Sequence, residues 1–175
     1  ILCAFALTEA KGGSDAGALM TRAVRDGDGY VINGDKQFIT SGKNADLTLV
    51  FAVTDPDQGK RGISAFIVPT DTPGYEVLRV ERKMGMNASD TAQLAFNDMR
   101  VPGDALLGEE GQGYRIALGN LEGGRIGIAS QALGMARAAH EAALAYAQER
   151  EAFGKPIFEH QAVAFRLADM ATQLE

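Results

Sequence analysis

The residues best suited to chemistry lie near the front of the chain, in Phe5-Ala6-Leu7-Thr8-Glu9-Ala10-Lys11-Gly12-Gly13-Ser14-Asp15. An apolar run, expected to be a short strand, ends in threonine and opens into a Gly-Gly-Ser turn. Glycines let backbone N–H groups approach a ligand closely, and the hydroxyls of Thr8 and Ser14 can donate or accept. This is the chemistry of holding a polar ligand. Metal chemistry finds little support, because the two histidines, His140 and His160, are far apart and Cys3 is the one cysteine. A lone cysteine also forbids an internal disulfide and fits a reducing compartment.

The elements that must position these groups change character near residue 110. Before it, short runs rich in Val, Ile, Phe, Tyr and Thr alternate with Gly, Asp, Asn and Pro. Strands are expected at 4–8, 21–25, 29–33, 36–40, 47–53, 63–69, 75–82 and 91–97, with hairpin turns at Asp26–Gly29 and Asn33-Gly34. Many short strands without crossover helices predict an antiparallel barrel or sandwich, not a Rossmann sheet. After residue 110 alanine dominates. One long helix is expected from Gln112 to about Ala152, with a possible break at Gly123-Gly124 and a stop at Gly154-Lys155-Pro156. A second helix from about Glu159 carries Val163, Leu167, Met170 and Leu174 on one stripe. The fold class is therefore α+β, with a β domain over 1–108 and the first antiparallel helices of an incomplete bundle over 109–175.

The 175 residues carry a formal net charge of -6 and no block of lysine or arginine. Nucleic acid and anionic membranes are poor candidates for partners on that balance, and no apolar run is long enough to span a bilayer. No signal peptide shows. A start at Ile1 without methionine, a stop at Glu175 within an expected helix, and two helices too few to bury their own apolar surface lead us to expect a fragment.

Three further stretches join the first: Gln37-Phe38-Ile39-Thr40-Ser41, Leu121-Glu122-Gly123-Gly124-Arg125-Ile126-Gly127 and Arg150-Glu151-Ala152-Phe153-Gly154. In this order and at these separations they resemble the acyl-CoA dehydrogenase family across essentially the whole chain. The stretch from Leu121 to Gly134 looks closest to short-chain and branched-chain members. The resemblance implies oxidation of an acyl-CoA thioester to trans-2-enoyl-CoA with FAD, in fatty acid β-oxidation. A carboxylate removes the α proton while hydride leaves the β carbon for flavin N5. Electrons would pass to an electron-transfer flavoprotein.

By the same resemblance, backbone groups of Ala6 and Leu7 and the Thr8 hydroxyl bond the polar edge of the flavin ring, in a segment from Phe5 to Ser14. Gly13 and Ser14 approach the cofactor, and Ser14 also the pantetheine arm of CoA. Phe38 stacks on the ring where many relatives carry tryptophan, Ile39 lies within the same segment, and Thr40 donates to N5. Glu122, Gly123, Gly124 and Arg125 contact the CoA moiety, where an arginine fork suits phosphates. Arg150, Phe153 and Gln161 bind FAD partly across a subunit interface, which implies a homodimer or homotetramer. Bacterial cytoplasm or, in a eukaryote, the mitochondrial matrix is the compartment implied.

The catalytic base is absent from this stretch. Most family members carry a glutamate beyond the point where this sequence ends. A minority place it immediately before the arginine matching Arg125, where this chain has Gly124. Glu122 lies two helical residues earlier, rotated by about 200°, and faces away. No residue here is therefore expected to be catalytic, and the chain alone is expected to be inactive. Asn87 stands where relatives commonly have arginine. An acyl-CoA oxidase or flavin monooxygenase of the same architecture, or a non-catalytic oligomerisation or binding module, are the competing readings.

Overall fold

The computed structural model describes all 175 residues, Ile1–Glu175. It divides into two compact units, Ile1–Gly119 and Asn120–Glu175. The expectation of a mixed α+β fold holds.

The first unit is one curled seven-stranded sheet, a half-barrel. Its strands are β1 (Cys3–Ala6), β2 (Arg22–Asp26), β3 (Gly29–Thr40), β4 (Leu47–Val53), β5 (Ile63–Pro69), β6 (Tyr75–Val80) and β7 (Thr91–Val101). The order is β1-β4-β2-β3-β7-β6, with β5 on the other edge of β4. Most pairings are antiparallel, as expected. β1 differs and runs parallel to β4, as does the short contact of β2 with β4. A parallel pair needs a long connection, and residues 7–46 supply one for β1 and β4.

Inside the curl, apolar side chains from every strand but β6 form the main core. Ile32, Val50, Phe66, Leu94, Phe96 and Met99 are among its most deeply buried members. The rings of Tyr30 and Phe66 meet edge-on with centroids 4.9 Å apart, which ties β3 to β5. A second apolar cluster lies on the other side, where Leu7, Leu19, Phe51, Ile63 and Ala117 are buried and Phe5 packs partly buried against them.

One expectation fails here. Asn33-Gly34 is not a turn, because β3 runs unbroken from Gly29 to Thr40. Asn33 instead uses its side chain, donating from Nδ2 to Asp98 Oδ1 at 3.1 Å and accepting from the Asp98 N–H at 2.8 Å. Gly34, at φ +144°, gives room to Thr21: a Cβ there would sit 2.6 Å from Thr21 Oγ1. The Asp26–Gly29 turn forms as expected, with Asp26 paired to Gly29. The long helix expected from Gln112 does form, without the break allowed for at Gly123-Gly124. α1 (Gly113–Glu149) is continuous for 37 residues through Gly123-Gly124. Both glycines project into open space, so nothing forces a bend.

In the second unit α1 leads to a tight hairpin of β8 (Glu151–Ala152) and β9 (Lys155–Pro156), then to α2 (Gln161–Leu174). The helices run antiparallel, and His140 Nε2 lies 3.1 Å from the Leu167 carbonyl oxygen. Many apolar side chains on α1 and α2 face water, including Ile126, Ile128, Met135 and Phe165. No helix is long and apolar enough to cross a membrane.

Candidate functional site

Two corrections of register, one on each strand, build the corner where the first two motifs meet. β3 and β7 pair from Tyr30↔Val101 to Thr40↔Thr91, with irregularities between Ile32 and Gly34 and between Lys36 and Ile39. In the first, β7 holds the extra residue; in the second, β3 does, since Gln37 and Phe38 together oppose Gln93. Side chains on a strand alternate between faces. Tyr30, Ile32 and Lys36 point inward on one parity, and without the second bulge Thr40 would follow them. The bulge hands the inward position to Ile39, which is 1% exposed, and turns Thr40 to water.

Phe38 sits on that bulge at φ +57°, a left-handed conformation that side chains ordinarily avoid. Its ring is 61% exposed. An aromatic side chain held in an unfavourable backbone region and offered to solvent points to a contact outside the chain.

The first motif lies alongside. Past β1, the Thr8 carbonyl accepts from the Gln37 N–H at 2.8 Å, so Thr8 lies against β3 at a residue three positions before Thr40. Glu9 and Gly12 exchange backbone hydrogen bonds of 3.0 and 3.1 Å across a two-residue turn. Gly13 and Ser14 follow, both exposed, and a Cβ on Gly13 would meet nothing. The side chains of Ala6 and Leu7 are buried, which leaves their backbone groups as what they can offer a ligand. Phe5 is a core residue, its ring 4.9 Å from Phe51. The threonine hydroxyls that bond within this unit belong to Thr21, Thr48, Thr54 and Thr70. Those of Thr8 and Thr40 are unspent. An exposed ring, two free hydroxyls and a glycine-lined approach are a donor set that fits a planar aromatic ligand with a polar edge.

Sequence reasoning missed the pair beneath this corner. Lys36 is fully buried and its Nζ lies 2.7 Å from Glu9 Oε1 and 3.2 Å from the Leu7 carbonyl. Glu9 also accepts from the N–H groups of Met20 and Thr21 at 2.6 and 3.1 Å. Burial brings the Lys36 ammonium down to about 8, with Glu9 opposing. Burial raises Glu9, but the charge and hydrogen bonds of Lys36, then those from Thr21 and Met20, outweigh it and hold the carboxyl below its usual value. A signal existed: a lysine at inward parity after Tyr30 and Ile32 requires a buried partner.

In the second unit the hairpin gathers Arg150, Phe153 and Gln161 at one end. The Arg150 carbonyl accepts from Ile157 at 2.8 Å, and His160 Nε2 lies 3.0 Å from the Ala152 carbonyl. Phe153 and Gly154 both take positive φ, 56° and 78°, as a two-residue hairpin of the primed type requires. Phe153 is 96% exposed and stands edge-on to His160 at 5.9 Å. Glu122, Gly123, Gly124 and Arg125 are all exposed on α1.

The patterns of the acyl-CoA dehydrogenase middle domain and C-terminal domain match residues 4–99 and 111–175. The chain therefore belongs to the acyl-CoA dehydrogenase family, whose members are FAD-dependent oxidoreductases. It is 54% identical to an acyl-CoA dehydrogenase of Bacillus subtilis over 174 residues, 99% of this chain and 46% of that protein. It is 53% identical to the mitochondrial short-chain specific acyl-CoA dehydrogenase of Bos taurus over 171 residues, 98% of this chain and 42% of that protein. The structure of butyryl-CoA dehydrogenase from Megasphaera elsdenii superposes with a TM-score of 0.94 at 47% identity, over 98% of this chain and 45% of that one. The chain thus spans a little under half the length of the relatives it matches.

Proposed function

We propose that this chain is the flavin-facing β domain and the first helices of an FAD-dependent dehydrogenase acting on a short acyl-CoA thioester. The observation that carries the reading is Phe38, exposed and left-handed on its bulge beside the free hydroxyls of Thr8 and Thr40. When bound, FAD supplies the hydride acceptor. Phe38 packs against the ring, Thr8 and the Ala6–Leu7 backbone bond its polar edge, and the Thr40 hydroxyl donates to N5. The protein's part is to orient the ring and exclude water from its face. Ser14, Glu122, Gly123, Gly124 and Arg125 contact the CoA arm and its phosphates. Arg150, Phe153 and Gln161 hold FAD across a subunit interface in a homodimer or homotetramer.

Gly124 leaves the helix position before Arg125 without a carboxylate, so the α proton is removed by a base outside this chain, and the chain alone does not turn over substrate. Short substrates are favoured by the kinship with the bovine short-chain enzyme and the butyryl-CoA dehydrogenase. An electron-transfer flavoprotein receives the electrons, in the bacterial cytoplasm or the mitochondrial matrix.

The test is to purify the product of the complete reading frame. Yellow protein whose colour butyryl-CoA bleaches without oxygen supports the reading. A colourless, folded protein overturns it in favour of a binding module, and rapid reoxidation by air assigns an oxidase.

A further inference from the structure

We propose that Glu9 and Lys36 are a positioning pair for the flavin site: consecutive residues of β3, Lys36 and Gln37, clamp the two peptide planes flanking Thr8 and so fix what Thr8 offers the ring. The inference rests on the flavin reading above. Lys36 Nζ binds the Leu7 carbonyl at 3.2 Å and the Gln37 N–H binds the Thr8 carbonyl at 2.8 Å. With both carbonyls held, the backbone dihedrals of Thr8 have little freedom, and its hydroxyl is aimed by the fold. The Leu7–Thr8 peptide is trans, since the chain has no cis bond. Its N–H therefore points away from the Lys36 ammonium, and it takes no backbone partner. An ammonium on the carbonyl end of an amide polarises it and strengthens the N–H as a donor. That is the quality wanted opposite a ring edge that gains negative charge on reduction.

Stability alone is a weak account of this pair. A buried ion pair is commonly no better than an apolar pair of the same volume. Glu9 serves to keep Lys36 charged and in place: its carboxylate accepts a hydrogen bond from the ammonium, and the Met20 and Thr21 amides fix that carboxylate. No other charged side chain contacts Lys36 in the structure.

The test uses the complete protein, stripped of FAD and titrated with it. The variant is Glu9→Gln/Lys36→Met, which removes both charges, keeps one oxygen to accept from Met20 or Thr21, and withdraws the donor from Leu7. The expected result is an apoprotein that melts close to wild type. Its FAD dissociation constant rises about tenfold or more, the scale of one lost oriented charged hydrogen bond. The bound flavin has a broadened visible spectrum and a more negative midpoint potential. FAD bound with wild-type affinity and spectrum overturns the proposal, as does an affinity loss that only tracks unfolded apoprotein. Glu9→Gln alone is the second variant if the double does not fold. It removes the only counter-charge of the buried Lys36, so its FAD affinity is expected to fall in the direction of the double variant with the fold intact, and wild-type affinity and spectrum overturn the role assigned to the pair. A wild-type protein that takes up no FAD at all refutes the flavin reading itself, a separate outcome.

Discussion

The Lys36 ammonium reaches the Leu7 carbonyl at 3.2 Å, and one residue later the Gln37 N–H reaches the Thr8 carbonyl at 2.8 Å. The loop after β1 is thereby laid along the bulged half of β3. Backbone contacts, not side-chain packing, decide where the free hydroxyls and the exposed ring stand.

Phe38→Gly separates binding from stability. Glycine carries no penalty at φ +57°, and an exposed ring forfeits little burial. The apoprotein is expected to gain about 1 kcal/mol in thermal unfolding, while FAD affinity falls. Phe38→Trp keeps an aromatic face and, under the proposed stacking, is expected to hold FAD at least as well as wild type. Calorimetry and FAD titration of the complete protein read both effects.

Phe153→Asn makes the same distinction in the second unit. Asn-Gly is the favoured pair for a turn with both central residues at positive φ, so the hairpin is expected to firm by about 0.5–1 kcal/mol. If Phe153 holds the cofactor's adenosine half, FAD affinity drops despite the gain. Affinity that rises with stability removes Phe153 from the site.

Thr8→Val and Thr40→Val each delete a hydroxyl that bonds nothing in the chain. Stability is expected to stay within about 0.5 kcal/mol of wild type. The flavin absorption maxima are expected to shift differently in the two variants if, as proposed, one hydroxyl faces the ring's polar edge and the other N5. Identical spectra would remove both hydroxyls from ring contact.

The pH dependence follows from three groups. Glu9 is held low, with burial opposing the stronger pull of Lys36, Thr21 and Met20. Glu110 is held low by hydrogen bonds from Tyr30 and Arg25. Each contributes stability that is full above the ordinary value of 4.5 and lost as pH falls through its lowered folded value. Glu9→Gln is therefore expected to flatten the acid limb of the stability curve. Lys36 acts at the other end: lowered by burial from 10.5 to about 8, it favours the folded state increasingly as pH rises through that window. Wild type should gain on Lys36→Met between pH 8 and 10 in paired melting curves.

Gly124→Glu is expected to stabilise α1 by about 0.5–1 kcal/mol, because a mid-helix glycine is replaced where a Cβ meets open space. Thermal melting of the complete protein checks it.

Much of the fold was legible because local pattern and tertiary placement agree. Strands at 47–53 and 63–69 fall where alternation and β-branched residues put them. Asn33-Gly34 misled because its turn chemistry serves another end: Asn33 secures the Asp98 bulge and Gly34 admits Thr21. Gly123-Gly124 misled because a helix tolerates glycines when nothing packs there to bend it. At the site, the motif residues were readable, but the bulge that exposes Phe38 was not, since register is set by the partner strand. Lys36 was legible in principle from its inward parity; its acceptor on Leu7 was not, being a product of how two distant segments meet.

The two irregularities in the β3–β7 ladder cancel, one adding a residue to each strand, so pairing beyond them resumes in its original phase. A sheet with a single insertion would have to carry the offset to its end. Here the distortion is confined to the Asn33–Ile39 stretch. The exposed ring of Phe38 within it can be exchanged for another side chain while Tyr30, Val101, Thr40 and Thr91 keep their partners, so what this corner presents to a ligand can change without refolding the rest.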